Sequence, residues 1–430
     1  MQDSIAIVAL GYVGLPLALQ FLSSGVRVLG LDIDPAKVEA LNSGRSYIHH
    51  LPASAFAEFL ADGRFAASTE FSKVRNVQAV LICVPTPLTR NREPDLSHVL
   101  NTGRSIAPHL SRGTLVVLES TTYPGTTEGE LRAVLEEGSG LRAGTDFHLA
   151  FSPEREDPGN PQSRVSEIPK VVGGLTPECL ARAQALYSRA VRTLVPVSSC
   201  RVAEAAKLTE NIFRGVNIAL VNELKVVFAA MGIDVWEVIG AAKTKPFGFM
   251  PFYPGPGLGG HCVPIDPFYL SWKAREFGQT TRFIELAGEI NTAMPGYVVT
   301  RVAEALNDRG RAVKGARVLV LGLAYKAGVD DDRESPSYHL MDLLKERGAV
   351  VSYHDPFVPV IRPTREHAHW AGTQSTPWTE AAIRAVDLVL ISTAHPGVDY
   401  RQLVEWAPLI VDTRNALAGI PGRPGQIWKA

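Results

Sequence analysis

Ser4-Ile5-Ala6-Ile7-Val8-Ala9-Leu10-Gly11-Tyr12-Val13-Gly14-Leu15-Pro16 opens a stretch without a formal charge until Arg27. Residues 4–10 are a short apolar run ending at a glycine, the pattern of a strand buried on both faces. A turn holding Gly11 and Gly14 follows, residues 15–24 read as a helix, and residues 26–31 read as a second strand closing on Asp32. Strand, helix and strand within roughly 30 residues make a βαβ unit, which forces parallel pairing. The run could be mistaken for a signal peptide or a membrane span. Asp3 stands where a secretory leader wants Lys or Arg, and Gly11, Gly14 and Pro16 punctuate the run, so it is read as buried in a folded domain.

Working outward, further strands are expected at residues 79–84, 114–119 and 148–151 with helices between them, an alternation that argues for a doubly wound α/β domain. A second copy of the opening order lies near the C-terminus. Residues 317–321 read as a strand, Gly322-Leu323-Ala324-Tyr325 as a turn, 338–347 as a helix, and 350–353 as a strand ending at His354-Asp355-Pro356. Residues 385–393 then parallel 77–85, and 409–412 parallel 115–119. Between the copies, residues 202–231 read as one helix without proline, stopped by Gly232. At 1.5 Å per residue it would span about 45 Å, long enough to link two domains and pack on a partner subunit. The expected fold class is therefore α/β, with two Rossmann-like doubly wound domains joined by a long central helix and a helical dimerisation region.

With 430 residues, 46% hydrophobic and 20% charged, the chain can build packed cores and is not of disordered composition. Its net charge of -1 leaves no broad basic field for nucleic acid or an anionic membrane, so anionic ligands must be held by a few placed groups. Cys83, Cys179, Cys200 and Cys262 are too irregularly spaced for a disulfide framework or a zinc site, and no metal is expected. Free thiols point to a reducing, cytoplasmic setting.

Ala9-Leu10-Gly11-Tyr12-Val13-Gly14 is a G-x-G-x-x-G pattern with alanine at its first position. Gly11 would let the backbone approach a pyrophosphate, and Gly14 would let the helix pack on the sheet. The phosphates would sit at the helix N-terminus, near Tyr12 and Val13, where N–H groups and the dipole favour anions. Alanine can serve at position 9 if its φ is negative. Asp32, about 20 residues on, can accept ribose hydroxyls and would repel a 2′-phosphate, which favours NAD over NADP. The competing reading makes Asp32 a helix cap in Asp32-Ile33-Asp34-Pro35. Lys37 is either an adenine-side or phosphate contact or an ordinary solvated lysine.

The segment Tyr253-Pro254-Gly255-Pro256-Gly257-Leu258-Gly259-Gly260-His261-Cys262-Val263-Pro264-Ile265-Asp266 surrounds one cysteine with glycine and proline. Such backbone freedom is used where main chain approaches a ligand closely. Loop position and the nearby Asp266 make Cys262 the nucleophile candidate, whereas Cys83, in an apolar strand, and Cys179 and Cys200, near helix starts, read as small structural residues. Lys207 and Asn211 lie four apart on the long helix and share a face that could bind an oxyanion, or be solvated.

These residues are part of a wider pattern. The chain resembles the UDP-glucose/UDP-N-acetylmannosamine dehydrogenase family along nearly its whole length. The resemblance is carried by Gly11-Tyr12-Val13-Gly14-Leu15-Pro16, Val84-Pro85-Thr86-Pro87, Glu119-Ser120-Thr121-Thr122-Tyr123-Pro124-Gly125 and Ser152-Pro153-Glu154-Arg155. It continues through Ala206-Lys207-Leu208-Thr209-Glu210-Asn211, the cysteine segment 259–266, and Lys326 with Arg333-Glu334-Ser335. The resemblance implies an NAD-binding domain over residues 1–197, a central helical dimerisation region with the cysteine loop over 198–305, and a UDP-sugar-binding Rossmann-like domain over 306–430. It implies that Thr86, Thr121 and Arg333 contact NAD. It places Glu154, Lys207, Asn211, Cys262 and Asp266 around the reacting C6, with Thr121 also counted among the catalytic residues. The UDP-sugar would be held by Glu154, Lys207, Asn211, Lys326 and the loop carrying Phe252, Tyr253, Gly255, Gly257 and Gly259.

The implied reaction is a four-electron oxidation of a sugar alcohol to the acid with two NAD, through a Cys262 thiohemiacetal and thioester. His261 stands where UDP-glucose members commonly carry an aromatic residue. The wording around residues 244–249, 253–256 and 267–269 most resembles the UDP-N-acetylglucosamine 6-dehydrogenase branch, which makes precursors of polysaccharides and O-antigens. UDP-N-acetylmannosamine and UDP-glucose dehydrogenases share the chemistry. A single-step hydroxyacid-type dehydrogenase needs neither the cysteine nor the second domain, and a catalytically silent scaffold need not keep Lys207, Asn211, Cys262 and Asp266 together.

Overall fold

The uncharged opening run is buried, with Ile5, Ala6, Ile7 and Val8 each at most 2% exposed, as an apolar strand covered on both faces requires. The computed structural model describes residues 4–48, 51–52, 54–89, 91, 93–155, 166–260, 265–363 and 367–430. The chain divides into two compact units, Met1–Asn211 with Ile265–Thr280, and Ile212–Pro264 with Thr281–Ala430.

In the first unit eight strands form one sheet: β1 (Ser4–Val8), β2 (Arg27–Leu31), β3 (Phe65–Ser68), β4 (Ala79–Ile82), β5 (Leu115–Leu118), β6 (His148–Phe151), β7 (Lys170–Gly174) and β8 (Leu194–Val197). Their order is β3-β2-β1-β4-β5-β6-β7-β8, parallel throughout except where β7 runs against β6. The order reverses between β2 and β4, on either side of β1, so the crevice at their carboxyl ends is the switch point where such sheets take ligands. Sequence reading misses β3, β7 and β8. β3 is four residues with two small alanines, and β8 carries Pro196, which only an edge strand tolerates.

In the second unit β9 (Arg317–Leu321), β10 (Val350–His354), β11 (Leu388–Ile391), β12 (Ile410–Asp412) and β13 (Ile427–Lys429) make an all-parallel sheet in the order β10-β9-β11-β12-β13. β9 lies between β10 and β11 as β1 lies between β2 and β4, so the internal repeat is present in the topology. The long helix is one element, Cys200–Ala230, whose residues pass from the first unit to the second at Asn211. Gly232 ends it in the left-handed conformation, φ 72°. The central segment expected as a separate domain is shared between the two units.

The turn after β1 departs from expectation. Ala9 has φ +73°, not the negative value an alanine prefers. The conformation aims the Ala9 carbonyl at the helix Gly14–Ser23, where a Cβ on Gly14 would sit 2.0 Å from that oxygen. Gly14 is thus required by its own turn, and the first position would be served best by glycine. The cost to an L-residue in this region is about 1–2 kcal/mol.

One polar cluster lies inside the first unit. Lys170 Nζ donates to Glu119 Oε2 at 2.7 Å and to Pro153 O at 3.4 Å, and the Tyr187 hydroxyl donates to Glu119 Oε1. Glu119 is 1% exposed, Lys170 6% and Tyr187 0%. Burial pulls the Lys170 ammonium down, but the Glu119 and Glu154 carboxylates outweigh it and hold the ammonium above its ordinary range. The pair links the end of β5 to the start of β7 and props the backbone just before Glu154.

Two outcomes follow from these contacts. Ala9→Gly should stabilise the first unit by about 0.5–1 kcal/mol, because relief of the left-handed strain exceeds the extra chain entropy of glycine. Thermal unfolding checks this, and an unchanged or lower midpoint would contradict the strained turn. Lys170→Met leaves Glu119 buried without its cation and should cost about 3–5 kcal/mol in denaturant unfolding, whereas a loss below about 1 kcal/mol would mean the pair is not buried as described.

Candidate functional site

Seven expected residues of the first unit fall where a parallel strand ends. Gly11, Tyr12 and Val13 follow β1, Asp32 follows β2, Thr86 follows β4, Thr121 follows β5 and Glu154 follows β6. A parallel sheet brings these ends to one edge, so residues far apart in sequence share one crevice rim.

At the β1 turn, a Cβ on Gly11 would meet nothing within 4 Å, whereas one on Gly14 would strike the turn itself. Gly11 therefore leaves space on the open side of the turn, a cradle fit for a pyrophosphate. The start of the helix Gly14–Ser23 has no side-chain cap and no acidic residue in its first turn, so nothing there competes with an anion. Asp32 is 5% exposed, and its carboxylate accepts from Leu10 N at 2.9 Å and Asp34 N at 3.0 Å. The helix cap is Asp34, whose Oδ1 accepts from Ala36 N at 2.9 Å, so the capping alternative for Asp32 falls. Lys37, 40% exposed, holds its Nζ 3.7 Å from Asp32 Oδ2.

On the sugar side of the expected chemistry, Asn211 and Asp266 are brought together across 55 residues. Asn211 Nδ2 donates to Asp266 Oδ2 at 2.5 Å, and the residues are 1% and 2% exposed. Asp266 is the first residue of the helix Asp266–Glu276, where the dipole favours a carboxylate. Lys207, partly buried, lies one turn before Asn211 on the long helix. Arg155, next to Glu154, pairs with Glu210 of the same helix at 2.7 Å. Tyr269, from the helix that Asp266 begins, donates its hydroxyl to Pro87 O at 3.1 Å and so steadies the Thr86 loop. Glu154 Oε1 accepts from Arg155 N at 2.7 Å.

In the second unit, Tyr253 stacks on Trp236 with centroids 5.7 Å apart, and Phe252 meets Phe213 edge-on at 5.6 Å. The loop glycines have a packing reason beyond ligand approach. A Cβ on Gly257 would lie 3.2 Å from Pro336, on Gly259 2.8 Å from Pro336, and on Gly260 2.9 Å from Tyr325. Gly257 and Gly260 also need φ of 141° and 87°. Lys326 and Arg333 lie on the segment between β9 and the helix Pro336–Glu346, and Arg333 grips Asp331 through Nε at 2.8 Å and Nη2 at 2.7 Å. His261 and Cys262 lie outside the described residues.

The structure adds two cations that sequence reading passes over. Lys225, 5% exposed, donates to Gly255 O at 3.3 Å, and Arg414 lies so close to Gly255 that a Cβ there would meet Nη1 at 2.3 Å. Arg414 was findable, since it follows the expected strand at residues 409–412 as Glu154 follows β6. Lys225 was not, since one basic residue on a long helix is ordinarily a solvated one. The described cysteines Cys83, Cys179 and Cys200 are unpaired, with Cys179 and Cys200 buried; burial pushes the Cys83 thiol well up, which suits a structural residue and not a nucleophile.

Comparison with known proteins gives one consistent result. Three models of the UDP-glucose/GDP-mannose dehydrogenase family match in order: the NAD binding domain at residues 3–191, the central domain at 201–293 and the UDP binding domain at 319–419. The UDP-N-acetyl-D-glucosamine 6-dehydrogenase of Pseudomonas aeruginosa is 37% identical over 92% of this chain and 91% of its own length. The UDP-N-acetyl-D-mannosamine dehydrogenase of Pyrococcus horikoshii is 34% identical over 97% of this chain and 96% of its own. A solved structure of the Pyrococcus horikoshii UDP-D-ManNAc dehydrogenase superposes with TM-score 0.89 at 32% identity, covering 99% and 98% of the two chains. Among the described residues no helix is long and apolar enough to cross a membrane. With an NAD-type cradle at β1 and a second domain matched to UDP binding, the chain belongs to the UDP-glucose/GDP-mannose dehydrogenase family and is an NAD-dependent UDP-sugar dehydrogenase, an oxidoreductase.

Proposed function

We propose that the enzyme oxidises the C6 alcohol of UDP-N-acetylglucosamine to the carboxylate, with Cys262 as covalent nucleophile. The observation that carries the chemistry is the buried hydrogen bond between Asn211 and Asp266, four residues beyond Cys262 in sequence. The substrate reading is supported by the loop wording of residues 244–269 and by the Pseudomonas relative. The mannosamine isomer is the second reading, favoured by the Pyrococcus likeness.

NAD, when bound, would supply the acceptor for two successive two-electron oxidations; the backbone of Gly11, Tyr12, Val13 and Gly14 and the Asp32 carboxylate would hold it, with Thr86, Thr121, Lys37 and Arg333 as further contacts. In the first, Lys207 or a water held by Lys207 and Asp266 takes the hydroxyl proton as the alcohol becomes an aldehyde. The Cys262 thiolate then adds to the carbonyl carbon; one S–C bond forms, and the charge on oxygen is met by Lys207 and Asn211. This capture keeps the aldehyde on the enzyme between the two oxidations. The second oxidation turns the thiohemiacetal into a thioester. Water, deprotonated by Glu154 or Asp266, attacks it, the C–S bond breaks, and the thiolate returns with release of the acid. Phe252, Tyr253, Gly255, Gly257, Gly259 and Lys326 hold the UDP-sugar.

The same reading includes a dimer built on the long helix. Phe213, Leu220 and Val227, seven apart, are 49%, 50% and 45% exposed and make one apolar stripe on that helix. A cytoplasmic setting agrees with the unpaired thiols of Cys83, Cys179 and Cys200.

A panel of UDP-sugars with NADH counted per acid formed tests the assignment. UDP-N-acetylglucosamine should give the highest kcat/KM and two NADH per product, and a clear preference for another sugar would displace it. Cys262→Ser should lose at least about 1000-fold in acid formation while binding NAD and UDP-sugar, and full acid production by that variant would remove the covalent route. Leu220→Asp should shift the sedimenting species from dimer to monomer, and an unchanged distribution would place the interface elsewhere.

A further inference from the structure

Lys225 and Arg414 converge on Gly255 from opposite ends of the second unit's sequence. Lys225 Nζ donates to Gly255 O at 3.3 Å and sits 5.3 Å from the centroid of the Tyr297 ring. The Arg414 guanidinium lies against the Gly255 α-carbon, and its Nε donates to Ser392 O at 2.8 Å. The charge acting on Lys225 is Arg414, and the carboxylate acting on Arg414 is Asp412. Asp412 is nearest in sequence, but its oxygens are taken by backbone, Oδ1 from Arg414 N at 2.9 Å and Oδ2 from Leu417 N at 2.9 Å.

Gly255 is also fastened from its other side. Its N–H donates to Asn222 Oδ1 at 3.0 Å, Asn222 Nδ2 donates to Asn291 Oδ1 at 2.9 Å, and Asn291 Nδ2 donates to Gly215 O at 3.1 Å. The peptide carrying Gly255 is therefore held in place beside both cations. Buried charge without a counter-charge is expensive, and a second cation beside it makes it more so. Such an arrangement is kept where a ligand brings the missing anion.

We propose that Lys225 is a specificity-determining residue, forming with Arg414 a two-cation site at Gly255 for the diphosphate of the UDP-sugar. It rests on the reading of this loop as the substrate loop, not on which sugar is oxidised. Burial, with the Arg414 charge added, lowers the Lys225 ammonium to about 7, and burial lowers Arg414 to about 10, with Asp412 opposing. The groups facing Lys225 are Arg414 and the Tyr297 ring, with Asn222 one turn earlier on its own helix. Arg414 stays charged across neutral pH, so Lys225 is the member of the pair that titrates.

The sign of the linkage follows. Unfolded lysine holds its proton to about pH 10.4, whereas folded Lys225 releases it near 7, so between these values the unfolded chain binds more protons and ligand-free stability rises with pH. Binding runs the other way, because the anion needs the ammonium. Affinity for UDP should fall as pH rises above 7, by at most about tenfold per pH unit for one proton.

The test is titration calorimetry of the full enzyme with UDP and with UMP at pH 7, 8 and 9, without sugar, so a failed sugar panel leaves it intact. Wild type should prefer UDP to UMP, most strongly at pH 7. Lys225→Met should lose at least tenfold in UDP affinity at pH 7, lose most of the UDP over UMP preference, and show a flat pH profile. Its ligand-free melting temperature should rise, since an uncompensated buried charge is gone. Lys225→Arg should keep UDP affinity and flatten the profile. Loss of UDP affinity by equal factors at every pH would reduce Lys225 to a loop clip and overturn the proposal, as would unchanged affinity in Lys225→Met or a fall in its melting temperature.

Discussion

A carboxylate at the end of one strand that ties down the turn after its neighbour is the contact on which both halves of this protein depend. Asp32 accepts from Leu10 N, and Asp355, at the matching place in the second unit, accepts from Leu323 N at 2.6 Å and Ala324 N at 2.9 Å. In each case the strand order β2-β1-β4 or β10-β9-β11 brings the acid beside the turn. Parallel pairing with a helical crossover leaves the turn N–H groups at the carboxyl edge, where no strand can pair them. A buried carboxylate satisfies them, and in the first unit the face of Gly11 is left open for a ligand. Asp355 shows the electrostatics: burial pushes its carboxyl up, but contacts from His395 and the turn amides bring it below the usual range.

From this constraint the placement of chemistry follows. The first unit presents the turn, Thr86, Thr121 and Glu154 along one edge, and the Glu119 and Lys170 pair stiffens the backbone just before Glu154. Residues 200–211 and 265–280 belong to that same unit, and they carry Lys207, Asn211 and Asp266. The protein thus adds a hydrogen-bonded amide and carboxylate to a dinucleotide sheet by folding in two distant stretches of chain. The second unit treats charge differently. It keeps Lys225 buried beside Arg414, where stability alone would select apolar side chains.

Much of this was legible in residues 4–32, because an uncharged run broken by Gly11 and Gly14 and answered by Asp32 admits few folds. The repeat at 317–355 was legible for the same reason. What failed to read was local. Alanine at position 9 was read as serviceable on the condition of a negative φ, yet the carbonyl turns toward Gly14 and the backbone there takes φ +73°. The glycines at 257, 259 and 260 suggested ligand approach, and they also relieve contact with Pro336 and Tyr325, side chains some 65–80 residues away.

The order of strands and helices, the dinucleotide turn, the acid at Asp32 and the pairing of Lys207 with Asn211 on one helix face are properties of short stretches. Periodicity and spacing act over a few residues, so the sequence alone determined them. Which carboxylate meets Asn211, that Asp34 and not Asp32 caps the helix, and that Lys225 is buried beside Arg414 depend on contacts between residues 55 to nearly 190 positions apart or on competition within one turn. Only the closed tertiary structure decides these, because burial and the loss of water set the energy of a charge, and neither is written in the local pattern.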